Sequence, residues 1–266
     1  CIRDSHWTPV AVFLNTGKGW ERARSNGLDQ TDGWWNCLEV ADIDQDGDLD
    51  IIGGNWGLNS KFRASQSTPV NLYRADFDQN GSVEPLVTYY HNGVETPFAS
   101  RDELGKQMPF LNKKFRTYAE FAKAPLDALF GADALREADR KQVYELGSIV
   151  FLNDGSGHFE SIPLPGIAQA SPIYDCLLED LDQDGLQDLM IVGNLYEVST
   201  QLGRMDAFHG LVLKNEGSGS FSWAPELTPP VSGAGRKIDT LRIGNKKHYL
   251  IGRNNASPLI FTKDED

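Results

Sequence analysis

The sequence predicts an all-β protein built from repeated hairpins. The fold expected is a β-propeller of about five four-stranded blades, or part of a larger ring, with a small helical insertion. Three observations carry this reading. A nine-residue acidic loop occurs three times, and a hairpin with an Asn-x-Gly-x-Gly turn also occurs three times. The two alternate at a common spacing, giving a unit of about 40–45 residues, the length of one four-stranded blade.

The first acidic loop is Asp42-Ile43-Asp44-Gln45-Asp46-Gly47-Asp48-Leu49-Asp50. Like charges crowded on one turn repel, and a hard cation among the oxygens removes the repulsion. The alternation aims side chains from positions 1, 3, 5 and 9 at one point, the carbonyl of position 7 can join them, and Gly47 permits the sharp turn. The second loop offers Asp76, Asp78, Asn80, Ser82 and Glu84, and the third Asp180, Asp182, Asp184, Leu186 (through its carbonyl) and Asp188. With Asp42, Asp44, Asp46, Asp48 and Asp50, these are the candidate ligands of about three calcium ions. A metal-free acidic turn leaves the shared glycine at position 6 and acid at position 9 unexplained. An EF-hand is rejected. Its bidentate Glu at position 12 is replaced by Gly53, Val87 and Ile191, and the flanks Cys37–Ala41, Ile51-Ile52 and Leu189–Val192 are β-favouring runs rather than helices.

The net charge is −13, and the three loops hold twelve of the 38 acids and no base. The remainder is close to neutral, which argues against a nucleic-acid surface. No run of about 18 apolar residues marks a membrane span. No signal peptide is present, so Cys1 is expected to be either a lipidated N-terminal cysteine or a cut boundary within a longer parent chain. Cys37 and Cys176 lie in apolar runs and read as buried thiols rather than a disulfide. Loops of this kind need high calcium, which points outside the cytosol.

The glycine hairpins are Phe13–Trp20, Phe151–Phe159 and Leu213–Phe221. Asn15 precedes Asp42 by 27 residues, and Asn153 precedes Asp180 by the same number. Hairpin, connection and metal hairpin therefore read as one unit. After Asn215 the same spacing reaches Arg242, where the strand runs Lys237–Ile243 and His248–Gly252 flank a short turn, so a metal-free terminal blade is expected. Asp76 follows Asp42 by only 34 residues, which implies that the outer hairpin of the intervening blade is shortened or rearranged.

Residues 97–146 depart from the pattern. Leu104, Met108, Leu111, Phe115, Tyr118, Phe121, Leu126, Leu129, Phe130 and Leu135 recur at helical spacings, with Pro109 and Pro125 as breaks. Two to four short amphipathic helices are expected, either capping exposed blade edges or serving a partner. The chain thus divides into blades with two calcium loops at 1–96, the helical insertion at 97–146, and further blades at 147–266. Two long polar loops, after Asn55 and after Asn194, occupy equivalent places in the repeat and are expected on one face. With the insertion, they supply the candidate ligand-binding residues Asn59, Arg63, Arg101, Arg204, Asp206 and His209.

The repeat resembles the FG-GAP/VCBS family, the calcium-bearing propeller blades of integrin α-subunit heads and of many bacterial surface proteins. The phrases Gly33-Trp34-Trp35-Asn36, Gly54-Asn55-Trp56-Gly57-Leu58-Asn59, Arg101-Asp102-Glu103-Leu104 and Gly203-Arg204-Met205-Asp206 are similar to the C-terminal part of bacterial VCBS-repeat proteins related to the ASPIC/UnbV group. The resemblance implies a propeller and an exported, cell-surface or periplasmic location, and it implies no established activity. Catalytic signatures are absent: there is no Gly-x-Ser-x-Gly, no zinc spacing of His and Cys, and no phosphate-binding loop opening a helix. Of the histidines His6, His91, His158, His209 and His248, only His91 and His209 fall in or near loops. The function expected is a non-catalytic extracellular module for binding or adhesion, with a protein or glycan ligand. The alternative is a polysaccharide-active lyase or hydrolase on the same scaffold.

Overall fold

The computed structural model describes residues 2–3 and 6–262, so the question raised at Cys1 lies outside the described residues. The chain divides into two compact units, Cys1–Lys61 with Leu146–Asp266, and Phe62–Glu145. Every strand pairing is antiparallel, and the sheets do not close into a barrel.

The first unit opens with β1 (Ile2–Arg3), β2 (His6–Thr8), β3 (Ala11–Asn15), β4 (Trp20–Arg22), β5 (Gly33–Trp34), β6 (Cys37–Ala41) and β7 (Asp50–Gly54). Strands β1, β3 and β4 form one sheet, and β2 pairs with β5. β6 and β7 are the arms of the first acidic hairpin. Around them, the phrase Gly33–Asn36 serves packing. The Trp35 ring is buried, donates from Nε1 to the Thr31 carbonyl at 2.8 Å, and lies edge-on to Phe151. A Cβ on Gly53 would fall 2.6 Å from that ring, so only glycine lets the tryptophan sit against the strand.

The second unit contains β8 (Val70–Ala75), β9 (Glu84–His91), β10 (Val94–Pro97), five short helices and β11 (Asp139–Val143). Its sheet runs β10-β9-β8-β11, with the second acidic loop joining β8 to β9. The helices are α1 (Arg101–Gln107), α2 (Phe110–Lys114), α3 (Tyr118–Lys123), α4 (Leu126–Phe130) and α5 (Ala132–Glu137), more than the two to four expected. The reason is local. Ser100 with Glu103, and Thr117 with Glu120, form capping boxes that start α1 and α3, while Pro109 and Pro125 stand at the starts of α2 and α4. Leu104, Met108, Leu111, Phe121, Leu129 and Phe130 share one core with Tyr73, Phe77 and Leu86 of the sheet side, whereas Tyr118 is exposed. Helices and second acidic hairpin are therefore one compact body, starting earlier in the chain than the helical periodicity does.

The first unit resumes with β12 (Ile149–Asn153), β13 (Phe159–Pro163), β14 (Ile173–Glu179), β15 (Asp188–Gly193), β16 (Leu211–Gly217), β17 (Ser220–Trp223), β18 (Ala234–Ile243), β19 (Lys246–Asn254) and β20 (Leu259–Thr262). Two four-stranded sheets result, β6-β7-β12-β13 and β14-β15-β16-β17, followed by a three-stranded sheet β18-β19-β20 without an acidic loop. Gly244 takes φ +62° at the first place of the two-residue turn between β18 and β19. The phase of the repeat differs from the sequence expectation. The second and third glycine hairpins each complete the sheet of an acidic hairpin earlier in the chain, the first joins β1, and the 27-residue spacing is the passage to the next sheet. The short interval from Asp42 to Asp76 has the same origin: the second unit is inserted between β7 and β12, partners in one sheet.

β6 packs against β14, and β14 against β18, so the leading strands of three successive sheets stand side by side. Cys37, Ile52, Val150, Ile173, Cys176, Ile191 and Leu213 form one core cluster, in which Cys37 and Cys176 are free and buried. A second cluster, with Met190, Val192, Val212, Ile238 and Ile251, joins the last two sheets.

Candidate metal centres

Each acidic loop spans the tip of an antiparallel hairpin. The registers Ala41↔Asp50, Ala75↔Glu84 and Glu179↔Asp188 set the position-9 acid beside the residue preceding position 1. The loop between them turns through left-handed backbone at two places. Gln45, Gln79 and Gln183 take φ of 61°, 58° and 67°, and Gly47, Gly81 and Gly185 take 98°, 89° and 93°. A glutamine in that region costs about 1 kcal/mol, and position 6 tolerates little besides glycine. The recurring Gly at position 6 is thus a backbone requirement.

Carboxylates at positions 1, 3 and 9 converge. The groups Asp42–Asp44–Asp50, Asp76–Asp78–Glu84 and Asp180–Asp182–Asp188 each bring ligand oxygens within 4.8 Å of one another, the spread that oxygens at about 2.3–2.6 Å from one ion can have. Position 1 also caps the turn, since Asp42, Asp76 and Asp180 accept the N–H of the position-6 glycine at 3.1, 2.8 and 3.0 Å. Position 5 acts inside the loop: Asp46, Asn80 and Asp184 accept the N–H of position 7 at 2.9, 2.7 and 2.9 Å. The Asp48 carboxylate stands outside the convergent group of the first loop.

The residues fit a hard cation. Asp42 Oδ1 and Asp44 Oδ1 in the first loop, and Asp78 Oδ1 in the second, are buried oxygens without a hydrogen-bond partner. Burial pushes the Asp50 carboxyl up from the ordinary carboxylate range, and Asp44 and Asp46 push it further, against the pull of the Asn153 and Ile43 N–H groups. A divalent cation reverses both effects.

The third loop differs. Among the described residues it has no such orphaned oxygen: the Asp184 N–H reaches Asp180 Oδ1 at 3.1 Å and Asp182 Oδ1 at 3.2 Å, and the Lys214 ammonium on β16 is paired with the other Asp182 oxygen and lies 2.9 Å from Asp184 Oδ2. The Leu186 N–H and Lys214 together hold the Asp184 carboxyl below its usual range, and the two carboxylates raise the Lys214 ammonium.

The position-9 acid is also the joint between loop and sheet. Asp50 Oδ2 accepts the Ile43 N–H at 2.8 Å and Oδ1 the Asn153 N–H at 2.8 Å. Asp188 repeats this with Leu181 at 2.9 Å and Asn215 at 3.0 Å, and Glu84 accepts the Phe77 N–H at 3.0 Å. The asparagines of the second and third glycine hairpins also donate from Nδ2 to the position-8 carbonyl, Asn153 to Leu49 and Asn215 to Gln187. Asn153 and Asn215 are thus functional residues whose role sequence reading missed. The signal was present in their fixed place at the head of every Asn-x-Gly-x-Gly turn.

The candidate ligand-binding residues fall in both units. In the first unit, Asn59 donates to the Ala170 carbonyl at 3.1 Å, Arg204 pairs with Asp206 at 3.1 Å and covers the Tyr196 ring at 3.7 Å, and His209 is exposed. In the second unit, Arg63 donates to the Phe62 carbonyl, while Arg101 donates to the Phe115 carbonyl at 2.9 Å and lies over Tyr118. The two long polar loops begin instead on a shared structural device. Asn55 and Asn194 are buried, and their side chains clasp the Trp34 N–H and Gly147 carbonyl, and the Phe208 N–H and Gly233 carbonyl, respectively.

Fold and loops together define a class: stacked antiparallel sheets carrying repeated, cation-seeking hairpin tips. Residues 2–53, from β1 into β7 and including the whole first acidic loop, match the family described as an FG-GAP-like repeat. No curated protein matches the chain. Among the described residues, no helix is long and apolar enough to cross a membrane.

Proposed function

We propose that this chain is a calcium-stabilised β-propeller module of an exported bacterial protein, of the FG-GAP/VCBS kind, and that it binds a protein or glycan ligand without catalysis. On this reading the sheets are blades of a ring of about five or of a larger one, and the phrases shared with proteins related to the ASPIC/UnbV group mark that lineage. The observation that carries the reading is the double role of the position-9 acid, which faces the cation and fastens the loop to the sheet. An ion held there ties the loop to its sheet and so stabilises the blade.

Chelation tests it. Binding to the folded state alone stabilises by about 2.7 kcal/mol per site at a hundredfold excess over Kd. EDTA should therefore lower the melting temperature, and calcium should restore it. A melting curve and tryptophan fluorescence indifferent to EDTA would sink the calcium reading.

A polysaccharide-active lyase or hydrolase is the second reading. It is favoured by a cleft of about 710 Å³ in the second unit, lined by His91, Glu95, Arg101, Tyr118 and Lys123 among others. A glycan array run beside a depolymerisation screen separates the two. Binding without turnover supports the module, and turnover lost in R101A or H91A supports the enzyme.

A further inference from the structure

The three acidic loops carry the same turn, yet only two leave buried carboxylate oxygens without partners. In the third, the Asp184 N–H reaches Asp180 Oδ1 and Asp182 Oδ1, and Lys214 supplies a charge that, among the described residues, the other two lack, on the remaining oxygen of Asp182. That lysine immediately precedes Asn215, and the equivalent residue before Asn153, beside the first loop, is Leu152. The substitution of a cation for an apolar side chain at one place in the repeat sets an ammonium on Asp182, which converges with Asp180 and Asp188, and on Asp184 in the same loop. The sequence conceals this, because Lys214 is 32 residues away from Asp182.

We infer that Lys214 is a tethered counter-ion that holds the third loop closed without a divalent ion, making this loop the weakest calcium site of the three. An ammonium and Ca²⁺ cannot both draw on Asp182 without repelling each other. Calcium entry therefore requires Lys214 to leave, and its side chain, 31% exposed, has a path to solvent. The first loop offers five carboxylates and the second leaves its position-3 oxygen unpaired, so neither presents such a barrier. The inference rests on the calcium reading above, and the following test tells failure of the one from failure of the other.

Calcium stoichiometry of the whole chain is followed by native mass spectrometry across graded free calcium. The wild-type chain should take up two ions first, and the third only at free calcium at least about tenfold higher, since ligand charge tunes such sites over that range. Lys214→Met should bring the third uptake down towards the other two. Lys214→Arg, which keeps the charge, should leave it weak, and Lys214→Gln replaces the Met variant if that fails to fold. Asp182→Asn should abolish the late ion alone. Three ions entering the wild-type chain together, or an unchanged third uptake in the neutral variants, would overturn the inference while leaving the calcium reading intact. No uptake at any loop would overturn both.

Discussion

The sheets β6-β7-β12-β13 and β14-β15-β16-β17 have the same strand order and the same joint between acidic loop and glycine hairpin, reached by different routes. In the second sheet, Asp188 meets Asn215 across 27 residues, while in the first Asp50 meets Asn153 across 103. A compact unit of helices and sheet lies in that longer interval, and the joint is made at 2.8 Å all the same. The geometry of such a four-stranded sheet is therefore set by its hydrogen-bonded corner and not by continuity of chain. The two corners differ in electrostatics: one faces unpaired carboxylates, and the other carries its own lysine.

The largest effect should come from the shared corner. Asp50→Ala and Asp188→Ala each strand two buried N–H donors and should cost about 2–4 kcal/mol in denaturant unfolding. A cost in one and not the other would break the equivalence of the sheets. The asparagines come next and should sharpen the contrast. Asn215 also donates to the Ile43 carbonyl at 2.9 Å and is fully buried, whereas Asn153 reaches an exposed site. Asn215→Ala should cost about 2 kcal/mol and Asn153→Ala about 1 kcal/mol in the same assay.

A smaller, opposite-signed pair isolates the charges. In EDTA, Asp44→Asn relieves repulsion in the first loop and should raise the melting temperature by about 2 °C, while Asp182→Asn strands Lys214 and should give no rise. Equal shifts in both variants would remove the electrostatic distinction. The smallest effect lies between sheets, where Lys237 on β18 pairs with Asp175 on β14 at 2.9 Å and its ammonium is raised by that partner. A raised folded-state value means the contribution is complete below the ordinary lysine range and is lost as pH rises through the shifted value. Lys237→Met should flatten the decline in melting temperature above about pH 10.5, and the exposure of the lysine side chain keeps the change slight, although Asp175 is buried. Tyr73, pushed up to about 12 by burial and Glu95, titrates in the same window and should account for part of the decline that survives the substitution.

Much of this was legible in the sequence because the chemistry is local. Position-6 glycines answer to a backbone angle, and positions 1, 3 and 9 answer to one ion, so spacing alone located the convergent carboxylates. Strand runs such as Ile51-Ile52 and Leu189–Val192 likewise announced themselves by composition. What stayed hidden was non-local. Nothing in residues 180–188 points to Lys214, and nothing in the 34-residue interval from Asp42 to Asp76 tells that β7 awaits β12. The helices were undercounted because each is about one and a half turns long, too short for periodicity to separate. Their Ser100/Glu103 and Thr117/Glu120 boxes were the better guide.

The insertion between β7 and β12 also dictates an order of events on the ribosome. When β7 has emerged, its edge has no partner and Asp50 has only half its hydrogen bonds, and both must wait while residues 62–145 are made. A nascent chain at about 5–20 residues per second spends several seconds in that condition. The inserted unit has its own apolar core and can fold within that interval, before β12 is made.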